Sequence, residues 1–358
     1  YGDVPLLRRA TLGALVDRAR ANGGLAMLTA KPRDPAGYGR VVRDESGRVL
    51  RVVEDKDASD TERRIGEINA GIYAAPAEFL RKATAALEPK NAQGEYYLTD
   101  VIAAAAATIG VETILADADE VSGINDRRQL AEAEERFRER QIDRYIAHVT
   151  FRDPRSVSIE EDVELGQDVI IGRNVALRGQ TRVAAGTVIG DGVILTDTVV
   201  GEGAQIEPYT VSNQAVIGPG CQVGPFARLR PQAELGPDAH VGNFVELKKT
   251  KLGRGSKANH AYLGDAVIGD KVNVGAGTIT CNYNGYEKQQ TIIEDGAFIG
   301  SDTQLVAPVR VGREAVVGAG TTVVRDVPAG ALAISRADQK HVEGYTERLK
   351  ARYPNKKK

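Results

Sequence analysis

The 358-residue sequence has little of what marks several protein classes. Its two cysteines, Cys221 and Cys281, are too few for a disulfide framework and favour a reducing compartment, so we expect a cytoplasmic protein. No apolar run reaches the roughly 18 residues that a transmembrane helix needs. The net charge is only −2, with 47 basic and 49 acidic side chains, so neither nucleic acid nor a membrane surface is an expected partner.

What the sequence does contain is a repeat in its second half, where an aliphatic residue recurs every six positions and glycine often follows it. The clearest runs are Leu165, Ile171, Leu177, Val183, Ile189 and Leu195, then Ile217, Val223, Leu229, Leu235, Val241 and Leu247. A six-residue step matches neither a helix nor a plain strand, and it predicts short parallel strands joined by tight corners, a β-helix of hexapeptide repeats. The repeat alone fits a structural spacer as well as an enzyme.

The remaining composition predicts four segments. Residues 1–124 alternate strand-like and helix-like runs, which indicates an α/β domain. Residues 125–150 are rich in Arg, Glu and Ala and predict a linker helix. Residues 151–335 carry the β-helix, and residues 336–358 form a polar tail, predicted as a short helix followed by a disordered, lysine-rich end.

Polar residues gather where the six-residue step is interrupted. Val274 and Ile299 are 25 positions apart, which predicts a protruding loop at 280–288, and a second irregularity covers 248–265. The side chains collected there, with Arg228 and Arg230 just upstream, are Glu246, Lys248, His260, Tyr262, Asn273, Asn282, Tyr283 and Lys288. Basic groups, an acid and one histidine together fit an enzyme that holds a phosphorylated substrate and moves a proton, with His260 as the candidate base.

Five segments carry a closer resemblance: 226–231, 240–249, 260–265, 273–283 and 300–308. They are similar to the acetyltransferase domain of the bacterial bifunctional glucosamine-1-phosphate acetyltransferases and N-acetylglucosamine-1-phosphate uridyltransferases. The resemblance implies a left-handed β-helix, a homotrimer with sites shared between neighbouring subunits, and acetyl transfer from acetyl-CoA to glucosamine-1-phosphate. In this family the second activity uses UTP to make UDP-N-acetylglucosamine for cell-wall synthesis.

The resemblance also implies a role for each matching residue. His260 would be the general base and Glu246 would orient it. The phosphate of the sugar would contact Arg230, Lys248, Tyr262 and Lys288, and Asn273 would position the sugar. Acetyl-CoA would contact Asn282, Tyr283, Ser301, Ala319 and Arg336. One departure is that only Ala261 separates His260 from Tyr262, where the family pattern has two residues.

The first 124 residues resemble the sugar nucleotidyltransferase half of the same family, through the segments 1–6, 37–40, 53–57, 67–71, 91–100 and 123–126. The resemblance implies that Asp3 and Asn125 bind Mg²⁺, and that Gly39, Glu54 and Asn69 hold the N-acetylglucosamine moiety. The glycine-rich, basic loop that would cradle UTP does not occur in residues 1–124. We therefore expect a chain that lacks the nucleotide-binding segment of its family, and impaired uridylyl transfer.

Two other functions remain open on the sequence. The β-helix could acylate a different amino sugar, which would not need the cations at Arg230, Lys248 and Lys288. It could also be a catalytically silent assembly subunit, in which case His260, Glu246 and the 280–288 loop would have no reason to converge.

Overall fold

The computed structural model describes residues 2–89 and 94–353, and the chain divides into two compact units, Tyr1–Phe137 and Arg138–Lys358. The predicted disordered end beyond Tyr353 and residues 91–93 of the family-like segment 91–100 lie outside the described residues. No helix in the described part of the chain is long and apolar enough to cross a membrane.

The first unit is a mixed α/β domain, as its alternating pattern predicted. Its strands are β1 (Leu25–Ala30), β2 (Arg40–Arg43), β3 (Val49–Val53), β4 (Ile68–Ala74) and β5 (Val111–Leu115), in the spatial order β3-β2-β4-β1-β5. Its helices are α1 (Arg9–Asn22), α2 (Asp60–Arg63), α3 (Ala77–Ala85) and α4 (Asp100–Thr108). All six residues of β1 are buried, and this interior strand pairs in parallel with β5 and antiparallel with β4.

The short elements β2 and α2 were not predicted. β2 has a basic residue at each end, Arg40 and Arg43, and only two apolar residues between them, so its sequence does not show the pattern of a strand. The four residues of α2 are held by a capping box, in which the Ser59 side chain accepts from the Glu62 backbone and Glu62 caps the Ser59 backbone.

Helix α5 (Arg127–Tyr145) crosses the division between the units at Phe137. It lies inside the predicted linker of 125–150, but the linker and the β-helix do not meet at 151. The first β-helix strand is Val149–Phe151, because Val149 is buried and pairs with Val169 of the next coil. A short 3-10 helix, Pro154–Ser156, follows.

The second unit is a left-handed parallel β-helix with three flat faces, which confirms the predicted fold. Face one has eleven strands: Val149–Phe151, Val169–Ile171, Val188–Ile189, Gln205–Ile206, Gln222–Val223, His240–Val241, Lys257–Ala258, Asn273–Val274, Phe298–Ile299, Val316–Val317 and Leu332–Ala333. Face two has ten: Ser158–Ile159, Ala176–Arg178, Ile194–Thr196, Val211–Asn213, Arg228–Leu229, Glu246–Lys248, Tyr262–Gly264, Ile279–Cys281, Gln304–Val306 and Thr322–Val323. Face three has nine: Glu164–Leu165, Arg182–Val183, Val199–Val200, Val216–Ile217, Glu234–Leu235, Lys251–Leu252, Ala266–Ile268, Thr291–Ile293 and Val309–Val311.

The aliphatic residues of the repeat form the interior of this unit. On face two, Leu229, Leu247 and Leu263 lie directly above one another in successive coils, and each is at most 1% exposed. The residue before each of them points outward, so face two presents Arg228, Glu246 and Tyr262. The tail ends in helix α6 (Tyr345–Arg352), whose residues are all exposed.

The coils differ in length at the two places where the sequence step is interrupted. Along face two, Arg228 pairs with Glu246, but Glu246 pairs with Tyr262, so the second coil is two residues shorter. The coil that joins Ile279 to Gln304 is longer, because it contains the predicted loop. The shortening includes the corner before His260, where five positions separate the buried residues Ala258 and Leu263 and six separate Val241 from Leu247.

Candidate functional site

The long loop leaves the β-helix at the end of the Ile279–Cys281 strand and forms a small hairpin. Tyr283 and Lys288 face each other across an antiparallel bridge, and the Asn284 side chain accepts hydrogen bonds from the backbone N–H groups of Tyr286 and Glu287. The backbone of Gln289 donates to the carbonyl of Asn282 and closes the hairpin. This local network holds Lys288 over the outer surface of face two.

Three cationic side chains meet there. The hydrogen bond from Lys288 and the nearness of its charge lower the pKa of the Lys248 ammonium, Arg230 acts in the same direction, and Asp265 opposes them. Like charges held this close repel one another until an anion lies between them. Arg230, Lys248 and Lys288 are therefore arranged as a receptor for a multiply charged anion such as a phosphate group.

Glu246 already occupies part of this receptor. Its carboxylate accepts a hydrogen bond of 2.7 Å from the Arg230 guanidinium, and each side chain is 36% exposed. Exposed pairs of this kind contribute little, about 0–1 kcal/mol, so an incoming phosphate can displace the carboxylate. Within the described residues no hydrogen bond joins Glu246 to His260, and the orienting role implied for Glu246 stays a prediction.

The Tyr262 side chain extends along its strand toward Gly264, which pairs with Lys248 of the neighbouring coil. A Cβ atom at Gly264 would lie 2.6 Å from the Tyr262 hydroxyl oxygen and 2.8 Å from Asn282 Nδ2. The glycine therefore allows the phenol and the amide to lie flat over the strand and to approach each other. Asn282 is buried, 7% exposed, and donates through Nδ2 to Asp265 at 2.5 Å.

His260 lies at the corner between faces one and two, at the start of the strand that carries Tyr262. Its φ of 44° is in the left-handed region, which histidine adopts more readily than most residues. Its ring meets the Phe244 ring at a centroid distance of 5.1 Å and an angle of 67°. No hydrogen-bond partner of the imidazole occurs in the described parts of the chain, so both ring nitrogens are open to a substrate.

A stack of aromatic rings leads to His260 along this corner. Phe244 stacks on Phe226 at 5.5 Å and Phe226 on Tyr209 at 5.1 Å, and all three adopt positive φ angles. This row of aromatic rings was not predicted from the sequence. The sequence does contain a pattern that could have shown it: ring-bearing residues at positions 209, 226, 244 and 260 recur about once per coil rather than once per six-residue step.

Three of the five residues expected to contact acetyl-CoA continue the same corner in later coils. Each of them lies close to a glycine of the preceding coil. A Cβ atom at Gly275 would lie 2.7 Å from the Ser301 backbone, and one at Gly300 would lie 2.5 Å from the Ala319 backbone. A Cβ atom at Gly318 would lie 3.2 Å from the Arg336 guanidinium. Ser301, Ala319 and Arg336 are exposed. They form a continuous edge with His260 at its lower end, because Gly277 donates to the His260 carbonyl and Gly320 to that of Ser301.

Asn273 is not brought together with the other residues. It lies on face one, in register between Lys257 and Phe298, whereas Arg230, Glu246, Lys248 and Tyr262 lie on face two. Asn273 therefore lies on a different side of the β-helix from the cations.

The five site residues expected in the first unit all line one pocket of about 600 Å³: Asp3, Gly39, Glu54, Asn69 and Asn125. Glu54 is held by the Thr99 hydroxyl at 2.9 Å, and the Asn69 amide donates to Tyr73 at 2.7 Å. Gly39 is tightly placed, because a Cβ there would lie 2.8 Å from Val52. Glu54 and Asn69 thus offer oriented polar groups of the kind that recognise a sugar.

The polar residues at one part of this pocket suit a hard cation. Asp3 offers a carboxylate and Asn125 an amide oxygen, and oxygen donors are what Mg²⁺ prefers. Asp3 is tied to the segment before Asn125, since Ile124 donates to its carbonyl at 2.8 Å. Two protein ligands suffice when substrate phosphates and waters supply the rest of the octahedron.

Comparison with known proteins gives matches over both units. The family model of the GMPPB C-terminal domain matches residues 153–251, and that of the bacterial transferase hexapeptide (six repeats) matches residues 290–325. Among solved structures, a UDP-N-acetylglucosamine acyltransferase from Bacteroides fragilis is 19% identical, with a TM-score of 0.36, over 50% of this chain and 69% of its own.

Two curated relatives are much more similar. The bifunctional protein GlmU of Methylococcus capsulatus is 52% identical over 361 residues, which cover 98% of this chain and 77% of the relative. The bifunctional protein GlmU of Sorangium cellulosum is also 52% identical, over 98% of this chain and 75% of the relative. Identity at this level across both units shows that the chain belongs to the bifunctional GlmU protein family.

Proposed function

We propose that the β-helix unit transfers an acetyl group from acetyl-CoA to the amine of glucosamine-1-phosphate. The observation that carries this proposal is the group of three cations, Arg230, Lys248 and Lys288, on the outer surface of face two, the face that follows the His260 corner. A phosphorylated acceptor requires such a receptor, and an amine nucleophile requires a base next to it.

Each group of residues has its own role in the proposed reaction. Arg230, Lys248 and Lys288 bind the phosphate, while Tyr262 and Asn282 lie beside them. His260 takes the proton from the substrate ammonium, because only the neutral amine can attack a thioester carbonyl. The new C–N bond forms as the C–S bond breaks, and the departing thiolate takes up a proton to leave as free coenzyme A. Ser301, Ala319 and Arg336 line the edge along which acetyl-CoA would lie.

Glu246 has two possible partners in this scheme. A bound phosphate competes with it for the Arg230 guanidinium, and a released carboxylate is then free to accept from the His260 ring. The expected role of Glu246 as the residue that orients His260 belongs to this substrate-bound state.

The distribution of residues over two faces supports a shared site. Asn273 lies on face one, away from the cations of face two, and the Asn273 of another copy could complete a site there, so we propose a homotrimer with one site at each contact between neighbouring copies.

For the first unit we propose the sugar and metal side of uridylyl transfer from UTP to N-acetylglucosamine-1-phosphate. Gly39, Glu54 and Asn69 would hold the sugar, and Asp3 and Asn125 would bind Mg²⁺, which neutralises charge that develops on the transferring phosphate. That this polypeptide is impaired in the reaction stays a prediction. The two free cysteines, Cys221 and Cys281, fit the proposed cytoplasmic location.

The deciding experiment is an assay of the purified chain with acetyl-CoA and three acceptors: glucosamine-1-phosphate, glucosamine and a different amino-sugar phosphate. We expect coenzyme A release with glucosamine-1-phosphate at a much higher kcat/KM than with glucosamine. Preference for an unphosphorylated acceptor would favour another amino-sugar acyltransferase. Absence of turnover with every acceptor would favour an assembly subunit.

A further inference from the structure

We propose that Asp265 is a positioning residue for acetyl transfer, which acts by holding the Asn282 amide in one orientation and by anchoring the hairpin next to it. The proposal rests on the proposed function of the β-helix unit for its kinetic effect, but not for the anchoring itself.

The first support is the hydrogen bond between the two side chains. Asn282 Nδ2 lies 2.5 Å from Asp265 Oδ2, and a carboxylate can only accept, so the amide nitrogen must face Asp265. The amide oxygen of Asn282 is thereby left as an acceptor for another group. The three cations suit the phosphate of the substrate. The substrate amine is a hydrogen-bond donor, and the amide oxygen of Asn282 is an acceptor that suits it.

The second support is that Asp265 is itself rigidly placed. It forms the corner between faces two and three with a φ of 49°, its backbone N–H donates to the Lys248 carbonyl at 2.9 Å, and its carbonyl accepts from Thr291 at 3.1 Å. Asp265 is therefore fixed to the coil below and to the coil above, and the loop is tied to this fixed point through Asn282.

The third support is the place of the hairpin, directly after Asn282 in the chain. Tyr283 and Lys288 are bridged in the hairpin, so the hairpin begins at the anchored residue. Lys288 faces Lys248 from this hairpin. Because displacement of a binding group by about 1 Å can lower a rate about 100-fold, release of the anchor should affect both the amide and the cation receptor.

The experiment compares four variants with the unsubstituted chain. Asp265→Ala removes the acceptor, and Asp265→Asn keeps an acceptor oxygen of the same shape. Asn282→Ala removes the positioned amide, and the double variant Asp265→Ala/Asn282→Ala tests whether the first residue acts through the second. The matched control is Asp197→Ala, because Asp197 occupies the same corner with a φ of 47° and its carboxylate accepts from the Gln180 backbone at 3.0 Å, far from the site.

We expect Asp265→Ala to lower kcat/KM for glucosamine-1-phosphate about 10- to 100-fold, and Asp265→Asn to stay within about threefold of the wild type. The double variant should be no worse than Asn282→Ala alone, since residues that act as a unit are not additive. Additive losses, an Asp265→Asn variant as impaired as Asp265→Ala, or an equal loss in Asp197→Ala would each overturn the proposal.

A second readout does not depend on activity. Tyr286 at the hairpin tip is 96% exposed, so the rate of chymotrypsin cleavage there reports the order of the hairpin. Asp265→Ala should raise this rate several-fold and Asp197→Ala should not; unchanged cleavage in Asp265→Ala would contradict the anchor. If the wild-type chain fails to acetylate glucosamine-1-phosphate, the proposed function fails while this measurement still decides whether Asp265 holds the loop.

Discussion

At the scale of single residues, the proposed reaction depends on the His260 imidazole, which lies at a corner with a positive φ. We predict that His260→Asn lowers kcat for acetyl transfer about 10²–10⁴-fold, because the general base is lost. Asparagine is the matched substitution, since it tolerates the positive φ of this position well. Steady-state kinetics should show a nearly constant KM for acetyl-CoA, and thermal unfolding should show an unchanged midpoint. Turnover close to that of the wild type would remove His260 from the chemistry.

The cation receptor gives a second prediction at this scale. Arg230→Ala and Lys248→Ala should each raise the KM for glucosamine-1-phosphate about tenfold or more, since hydrogen bonds between charged groups contribute about 1.5–3 kcal/mol. Lys251→Ala is the control: Lys251 is also paired with a glutamate, Glu234 at 2.9 Å, but on face three. Neither change should alter the KM for acetyl-CoA. Equal effects on glucosamine and glucosamine-1-phosphate would show that these side chains do not bind the phosphate.

The lowered pKa of Lys248 adds a pH dependence. Because Lys288 lowers this pKa, Lys248 loses its proton at a lower pH than an ordinary lysine does. A bound phosphate favours the charged form and raises the pKa again, so binding and protonation support each other. We predict that the KM for glucosamine-1-phosphate rises as the pH is increased through the alkaline range, while the KM for acetyl-CoA stays nearly constant. Kinetics at several alkaline pH values would reveal a flat profile if Lys248 has no contact with the phosphate.

At the scale of elements, the leucines of face two make the coils stable as a stack. Leu247 is fully buried between Leu229 and Leu263, so Leu247→Ala should lower the free energy of unfolding by about 2–5 kcal/mol. Leu332→Ala is the control in the same unit, because Leu332 is 63% exposed. Urea denaturation followed by circular dichroism measures both. Similar losses in the two variants would mean that burial in the stack is not what sets their effects.

Part of the structure at this scale could be predicted from the sequence. The six-residue step identified the inward residues of the β-helix, such as Leu229 and Leu247, because aliphatic side chains fill most of its narrow interior. The family-like segments named the residues of the first-unit pocket, and the structure places those residues together. In both cases the chemistry of the residue type carries the information.

The rest depends on how many residues each corner uses; the interrupted step in the sequence shows where the coil length changes, but not which contacts the change creates. The pairing of Glu246 with Arg230, the approach of Tyr262 to Asn282 and the placement of Asn273 on face one all depend on which corner is long and which is short. The anchoring residue Asp265 was present in a recognised segment, but its contact joins positions 17 apart in a coil of irregular length.

At the scale of the whole molecule, the placement of Asn273 on face one, away from the cations of face two, leads to a test of assembly. We predict a trimeric mass in solution by light scattering. Chains carrying His260→Asn and chains carrying Asn273→Ala should each be impaired alone, but when unfolded and refolded together they should recover about a quarter of the wild-type activity, the share of sites with both residues intact in a randomly mixed ring. No recovery in an assembled mixture would place His260 and Asn273 of one site on the same chain.

The corner that carries His260 is one residue shorter than the corresponding corner of the preceding coil. This difference bears on how such a protein can evolve. Above it, Ala258, Val274 and Ile299 still lie in register, and so do the later strands of the face. A gain or loss of a residue is therefore absorbed by a single coil, whereas in a globular domain it would disturb neighbours on every side. The same holds for the coil that carries the 282–289 hairpin, because the strands of the next coils keep their pairing. One coil of this β-helix, and with it the residues of the candidate site, can therefore change in evolution while the other coils keep their register.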